Sequence, residues 1–173
     1  MNWQEQGTMG TERHTVVPRT LTFLTYQGQV LLLRGAATKR IWPNRLNGVG
    51  GHLEPGEDAL TGARREVREE TGLDVEVLTL RAVVHISGPA GDAGVLMMVF
   101  VGAVETMDVS PNDEGDLLWY PIGGWPVDEM VGDLPELLPR VLDDRRGMTF
   151  GCYDPDPATG RMRMCFLDGD VSG

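Results

Sequence analysis

Three glutamates within one short segment, residues 51–73, constrain this chain more than any other feature of its sequence. The segment reads GHLEPGEDALTGARREVREETGL, in which Glu69 and Glu70 follow Glu66 by three and four residues. Since an α-helix turns once in about 3.6 residues, the three carboxylates would share one helix face and repel one another. A hard divalent cation would relieve that repulsion, although a solvated acidic helix face would explain the same pattern.

The overall composition is that of one ordinary globular domain. With 173 residues, of which 41% are hydrophobic, the chain is long enough to bury a real core. We expect residues 1–13 to form a flexible tail and residues 14–173 to form a single domain. Because no signal-peptide pattern and no apolar run of about 20 residues are present, we expect a cytoplasmic protein that does not contact membranes.

The charge balance limits the partners of the chain. Its net charge of −11 argues against binding of polymeric nucleic acid, which needs clustered Lys and Arg. A small phosphorylated substrate remains compatible with this charge, because a bound metal ion can invert the local field.

The pattern of apolar residues predicts an α/β fold. Two helices are expected, one over about residues 59–71, between the caps Asp58 and Gly72, and one over residues 134–144. Strands are predicted within a hairpin at 19–34, at 75–87, at 95–104, at 117–121, and within a final hairpin at 148–167. Together these elements predict an α/β/α sandwich, in which a mixed β-sheet carries a helix on either face.

The central segment also matches a known motif at every fixed position. The pattern G-x5-E-x7-R-E-U-x-E-E-x-G-U, where U is a bulky aliphatic residue, is met from Gly51 to Leu73, with Glu57 and Arg65 at its inner fixed positions. The chain therefore resembles the Nudix hydrolases, and the sandwich predicted above is also the fold of that family.

The resemblance implies which residues carry the chemistry. Glu66, Glu69 and Glu70 would bind Mg²⁺ or Mn²⁺, with the backbone of Gly51 close to the metal and that of Gly50 close to the substrate. Glu66 is our first choice for the residue that activates the attacking water, and Glu69 is the second. Family members cleave a nucleoside diphosphate linked to another group.

Two further site residues are predicted around this motif. Arg65 would pair with Glu57 and hold the loop against the helix. Glu114, in an acidic loop before Trp119 and Tyr120, would complete the metal site, as a glutamate does before such an aromatic in similar nucleotide-pool enzymes. The alternative for Glu114 is a merely polar loop, since loops are commonly acidic.

The segments outside the motif resemble the MutT-like oxidised-purine triphosphatases. Asn47 stands where an Asn reads the purine edge in those enzymes, and Asp133 retains one of their two base-binding aspartates. Leu46 replaces the usual Trp, and the base-stacking Trp of that subgroup is missing here. Trp125 could stack instead, but a core position explains it equally well.

These features predict hydrolysis of a nucleoside triphosphate to the monophosphate and pyrophosphate, with oxidised, 8-oxo-dGTP-like triphosphates among the candidate substrates. The alternatives are another nucleoside diphosphate derivative, such as a dinucleoside polyphosphate or a nucleotide sugar, and a non-catalytic nucleotide-sensing domain. The expected partner is a small nucleotide, and the protein would be a monomer or a homodimer.

Overall fold

The computed structural model describes residues 14–88, 92–110, 113–156, 158–159 and 162–169. The predicted tail at 1–13 and parts of the predicted loops at 88–94, 110–116 and 154–160 lie outside these residues. The strands are β1 (Val16–Tyr26), β2 (Gln29–Gly35), β3 (Leu46–Asn47), β4 (Thr79–Ile86), β5 (Gly94–Ala103), β6 (Gly115–Pro121), β7 (Thr149–Pro155) and β8 (Met162–Asp168). The helices are α1 (Ala59–Thr71) and α2 (Leu134–Val141), with a 3-10 turn at Val127–Glu129.

A single mixed sheet joins these strands in the described part of the chain. Its order is β3-β2-β1-β5-β4-β7-β8, and β6 pairs with β2 outside this path. Strand β1 lies parallel to β5 and β4 lies parallel to β7, whereas the β1–β2 and β7–β8 hairpins are antiparallel, as predicted. The predicted α/β/α sandwich with a mixed sheet is confirmed.

Helix α1 begins and ends at the predicted residues because both ends carry strong local signals. At its start, Oδ1 of Asp58 accepts hydrogen bonds from the backbone N–H groups of Leu60 and Thr61, at 2.9 and 3.0 Å. At its end, Gly72 adopts the left-handed conformation with φ of 75°, which costs a glycine little. Ala63 and Val67 are fully buried against one face of the sheet.

Helix α2 covers the other face of the sheet but is shorter than predicted. It ends at Val141 rather than at residue 144. The Arg81 guanidinium, from β4, donates to the backbone carbonyls of Val141, Asp143 and Arg146, at the end of the helix and in the segment just after it. These contacts arise from the tertiary structure, and the local sequence does not predict them.

Strand β4 also differs from its prediction, since it begins at Thr79 rather than at residue 75. Val75 and Leu78 are buried in the cluster beneath α1, so that their apolar character reflects packing rather than membership of the sheet ladder. Within the described residues, no helix is long and apolar enough to cross a membrane.

The packing of α2 gives a stability prediction. Leu137 is fully buried, so Leu137→Ala should lower the free energy of unfolding by about 2–5 kcal/mol through lost burial and a residual cavity. Leu167, whose exposure is 68%, provides the matched control, and Leu167→Ala should change stability by about 0.5 kcal/mol or less. Equal effects of the two substitutions in urea denaturation would contradict this packing.

Candidate active site

The three glutamates of α1 form a gradient from the protein interior to the solvent. Glu70 is buried, with 7% of its surface exposed, and the Glu66 side chain is 14% exposed. The Glu69 side chain reaches farther out and is 59% exposed. One helix face therefore carries all three carboxylates, as the three- and four-residue spacing predicts, and Glu69 is the most exposed of them.

Glu70 lies where a negative charge is costly. Its Oε2 accepts a hydrogen bond of 3.0 Å from the backbone N–H of Gly50. Burial raises the pKa of Glu70 to about 7, and the charges of Glu66 and Glu114 act in the same direction, while the Gly50 bond and Lys39 oppose them. A cation beside Glu70 would therefore stabilise the ionised carboxylate.

The glycine that opens the motif packs directly against a carboxylate. A Cβ atom on Gly51 would lie 2.4 Å from Oε1 of Glu66, closer than non-bonded atoms can approach. The carbonyl of Gly51 accepts from the N–H of Thr20 on β1 at 2.9 Å, so the sheet fixes this loop. Only a residue without a side chain allows the backbone to approach Glu66 so closely.

Arg65 connects the motif's loop to its helix. Its Nε and Nη2 donate to the two carboxylate oxygens of Glu57, at 3.0 and 3.1 Å, which is the expected pair. Its Nη1 also donates to Glu66 at 2.9 Å and to Glu69 at 3.1 Å, and Nη2 donates to the His52 carbonyl at 3.0 Å. The hydrogen bonds from Arg65 lower the pKa of Glu57, and those to Glu57 raise the pKa of Arg65.

Glu114 reaches the same region from the loop before β6. Its Oε2 lies 2.6 Å from Nζ of Lys39, and its backbone carbonyl accepts from the N–H of Ala36 at 2.8 Å. Because the charge of Glu114 raises the pKa of Glu70, the two carboxylates are close enough to influence one another. The role of Glu114 at a metal site stays a prediction.

Within the described residues, no three carboxylate, imidazole or thiolate groups converge closely enough to hold a metal ion. Their hydrogen bonds account for this spread, because Glu66 and Glu69 accept from Arg65 while Glu70 accepts from the backbone N–H of Gly50. The chemistry of the group nevertheless suits a hard cation, since Glu70 is a buried carboxylate beside other carboxylate oxygens.

A cavity of about 620 Å³ lies beside the glutamates, a volume typical of sites for small ligands. The predicted residues Asn47, Gly50 and Asp133 all line it. Since Gly50 also donates to Glu70, the cavity and the carboxylate helix meet at this glycine. Most other lining residues are apolar, among them Leu21, Leu33, Ile86, Val95, Met97, Val131, Met162 and Met164.

The polar groups predicted to read the base have different environments in the cavity. Oδ1 of Asn47 accepts from the N–H of Gly48 at 2.9 Å, which leaves its amide NH₂ without a partner in the described structure. Burial raises the pKa of Asp133. Burial, together with the charge of the nearby Asp133, raises the pKa of Tyr153.

Several lining residues were not anticipated from the sequence. Tyr153 comes from β7, and Arg19 and Trp42 come from β1 and from the loop after β2. Trp125, the alternative stacking residue, does not line the cavity but packs against the core beneath α2. Only the sheet order, which places β1, β5, β4 and β7 side by side, could have indicated that these segments meet.

Comparison with known proteins identifies the family. The NUDIX domain model matches residues 17–141, and the chain therefore belongs to the Nudix family. It is accordingly a hydrolase acting on phosphoric anhydride bonds.

The individual relatives agree with this assignment. The chain is 30% identical to the oxidized purine nucleoside triphosphate hydrolase of Mus musculus, over 71% of this chain and 78% of the relative. It is also 30% identical to the protein of the same name from Danio rerio, over 73% of this chain and 80% of that relative. A crystal structure of the mutator MutT protein of Bacillus halodurans has the same fold, with a TM-score of 0.72, 20% identity, and coverage of 87% of this chain and 97% of that one.

The Arg65 network gives a prediction about activity. Arg65→Lys should lower the rate of anhydride hydrolysis by about tenfold or more, because an ammonium group cannot hold Glu57 through two parallel bonds while also orienting Glu66 and Glu69. Initial rates at several divalent-cation concentrations measure the effect. Arg68→Lys is the control, since the Arg68 side chain is 68% exposed and should tolerate the change. An Arg65→Lys variant as active as this control would contradict the role.

Proposed function

We propose that the protein is a Mg²⁺-dependent pyrophosphohydrolase that converts a nucleoside triphosphate to the monophosphate and pyrophosphate. One observation carries this proposal: Gly50 joins the carboxylate helix to a cavity that also contains Asn47 and Asp133. A ligand in this cavity would present one end to base-reading groups and its other end to metal-binding carboxylates. The relatives named as oxidized purine nucleoside triphosphate hydrolases support the same conclusion.

The charge of the cavity supports a phosphorylated substrate. The chain has a net charge of −11, yet Arg19, Lys39, Arg40 and Arg45 all line this one cavity. Cationic side chains concentrated in a cleft attract an anion even when the whole protein is acidic. A triphosphate with its base in the apolar part of the cavity suits this distribution.

The metal would be held by Glu66, Glu69 and Glu70, with Glu114 and the Gly51 backbone as further oxygen donors. Mg²⁺ or Mn²⁺ at this place would neutralise phosphate oxygens and acidify a bound water. The protein's own part is to hold the carboxylates, through Arg65 and through the N–H of Gly50. Glu66 is our first choice for accepting the proton of the attacking water, and Glu69 is the second.

Base recognition would depend on Asn47 and Asp133. The free NH₂ of Asn47 can donate to an acceptor on a purine edge, and Asp133 supplies a second polar group in the same cavity. Oxidised purines such as 8-oxo-dGTP are candidate substrates. The methionines Met97, Met162 and Met164 give the cavity an adaptable wall, which favours tolerance of more than one base.

The partner in this proposal is the small nucleotide itself, in the cytoplasm, with no polymeric nucleic acid and no membrane. The protein would be a monomer or a homodimer. Cleavage of another nucleoside diphosphate derivative remains the alternative, and product analysis distinguishes it.

The test of the proposed function is a panel of nucleotides with product identification. With Mg²⁺ and a nucleoside triphosphate, the wild-type protein should release pyrophosphate, and Glu69→Gln should lower kcat by roughly 100-fold or more because a metal ligand is lost. Glu76→Gln, which makes the same charge change at an exposed position, should retain the wild-type rate. Full activity of Glu69→Gln would refute the assigned site, and two nucleotides or a sugar phosphate as the preferred products would support the alternative.

Asn47 gives a separate prediction about the base. Asn47→Ala should raise KM for purine triphosphates by about tenfold, equivalent to one hydrogen bond, and leave kcat nearly unchanged. The internal comparison is ribose 5-triphosphate, which has no base and should show the same KM with both proteins. If kcat falls and KM changes for both substrates, Asn47 has a structural role in its loop and does not bind the base.

A further inference from the structure

The loop between β2 and β3 borders the cavity and is held in place by the backbone. The N–H of Gly35 donates to the carbonyl of Arg45 at 3.0 Å, and the N–H of Asn44 donates to the carbonyl of Gly35 at 2.9 Å. The N–H of Ala36 donates to the Glu114 carbonyl at 2.8 Å, which ties the loop to the turn before β6. Side chains on this loop therefore have defined positions without belonging to the core.

Trp42 occupies this loop in an unusual way. It lines the cavity, yet 53% of its surface is exposed, which places the indole at the cavity's rim. Its backbone φ is 57°, a left-handed conformation that is uncommon for a bulky residue. A strained backbone that presents a large aromatic side chain beside a cavity is typical of a functional position.

The other tryptophans of the described chain are engaged elsewhere. Trp125 packs against the core beneath α2, and Trp119 packs against the core beneath α1, where its Nε1 donates to the carbonyl of Met107 at 3.2 Å. Neither of them lines the cavity. Among the described residues, Trp42 is thus the tryptophan that lines the cavity.

We propose that Trp42 stacks on the nucleobase of the substrate and sets how tightly the base is held. This inference rests on the proposed function and adds a residue to it. An aromatic ring carries partial negative charge on its faces, so a phosphate is a poor partner for the indole, whereas every base offers a matching π-face. Because Trp42 shares the cavity with Asn47 and Asp133, the base would be read at its edge and stacked on its face.

This arrangement assigns different tasks to neighbouring residues. Stacking on Trp42 is tolerant of base identity, since it depends on area and not on hydrogen-bond pattern. The edge contacts of Asn47 and Asp133 would then discriminate among bases that Trp42 holds about equally well. Loss of the indole should therefore weaken all bases together, in contrast to loss of the Asn47 amide.

The experiment measures binding of an α,β-methylene nucleoside triphosphate, which resists the proposed cleavage, by calorimetry in the presence of Mg²⁺. Trp42→Ala should weaken its affinity by about tenfold, while Trp42→Phe, which keeps an aromatic face, should weaken it less than about threefold. Ribose 5-triphosphate, which lacks a base, should bind the wild-type protein and both variants equally. Far-UV circular dichroism checks that each variant is folded.

Fluorescence supplies a readout that a purely structural role would not change. Nucleotide should quench the indole emission of the wild-type protein, and Trp42→Phe should lose this quenching while it still binds. Trp125→Phe is the matched control, because it removes an indole that does not line the cavity, and it should keep the quenching.

The outcomes separate this inference from the proposed function. Suppose that the wild-type protein hydrolyses triphosphates. The stacking role is then overturned, and the proposed function stands, if Trp42→Ala binds the analogue as tightly as the wild type does. The same conclusion follows if Trp42→Ala weakens the affinity for ribose 5-triphosphate as much as the affinity for the analogue. If the analogue binds with the expected dependence on Trp42 but no triphosphate is cleaved, the stacking role stands and the proposed function fails.

Discussion

The arrangement of the motif at residues 51–73 depends on the hydrogen bonds that the Arg65 guanidinium donates. All five of its N–H groups find acceptors, two on Glu57, one on Glu66, one on Glu69 and one on the carbonyl of His52. One rigid cation thus offsets several carboxylates that would otherwise repel, and it fixes the loop to the helix. Its planar fork also sets the mutual orientation of those carboxylates, which a flexible ammonium could not do.

Hydrogen bonds to the sheet hold the loop that precedes α1. The N–H groups of Thr20 and Thr22 on β1 donate to the carbonyls of Gly51 and Val49, at 2.9 and 2.6 Å. The loop before α1 is thereby hydrogen-bonded to the edge of β1. Because Gly51 lies directly against Glu66, the hydrogen bonds between β1 and this loop also hold the backbone that faces a Glu66 carboxylate oxygen.

Local signals determined which parts of this structure could be predicted from the sequence. The bounds of α1 followed from Asp58 and Gly72, which act within one turn of the helix ends. The end of α2 did not follow, because Arg81, 60 or more residues away, donates to the Val141 carbonyl and to two carbonyls beyond the helix. The residues of the motif were likewise visible as a pattern, whereas Trp42 carries no local signal and matters only because folding brings its loop to the cavity.

The segment from Asn47 to Gly50 links the two halves of the proposed site. Asn47 lies at the base-reading end, and the N–H of Gly50, three residues later, holds Glu70 at the carboxylate end. Three residues span at most roughly 11 Å when fully extended, so the backbones of the two ends cannot be farther apart. A nucleotide whose base lies at Asn47 would bring the phosphates nearest its ribose, and not a distant group, to the glutamates. Under the proposed function, this short spacing favours cleavage close to the nucleoside and links base recognition to the bond that breaks.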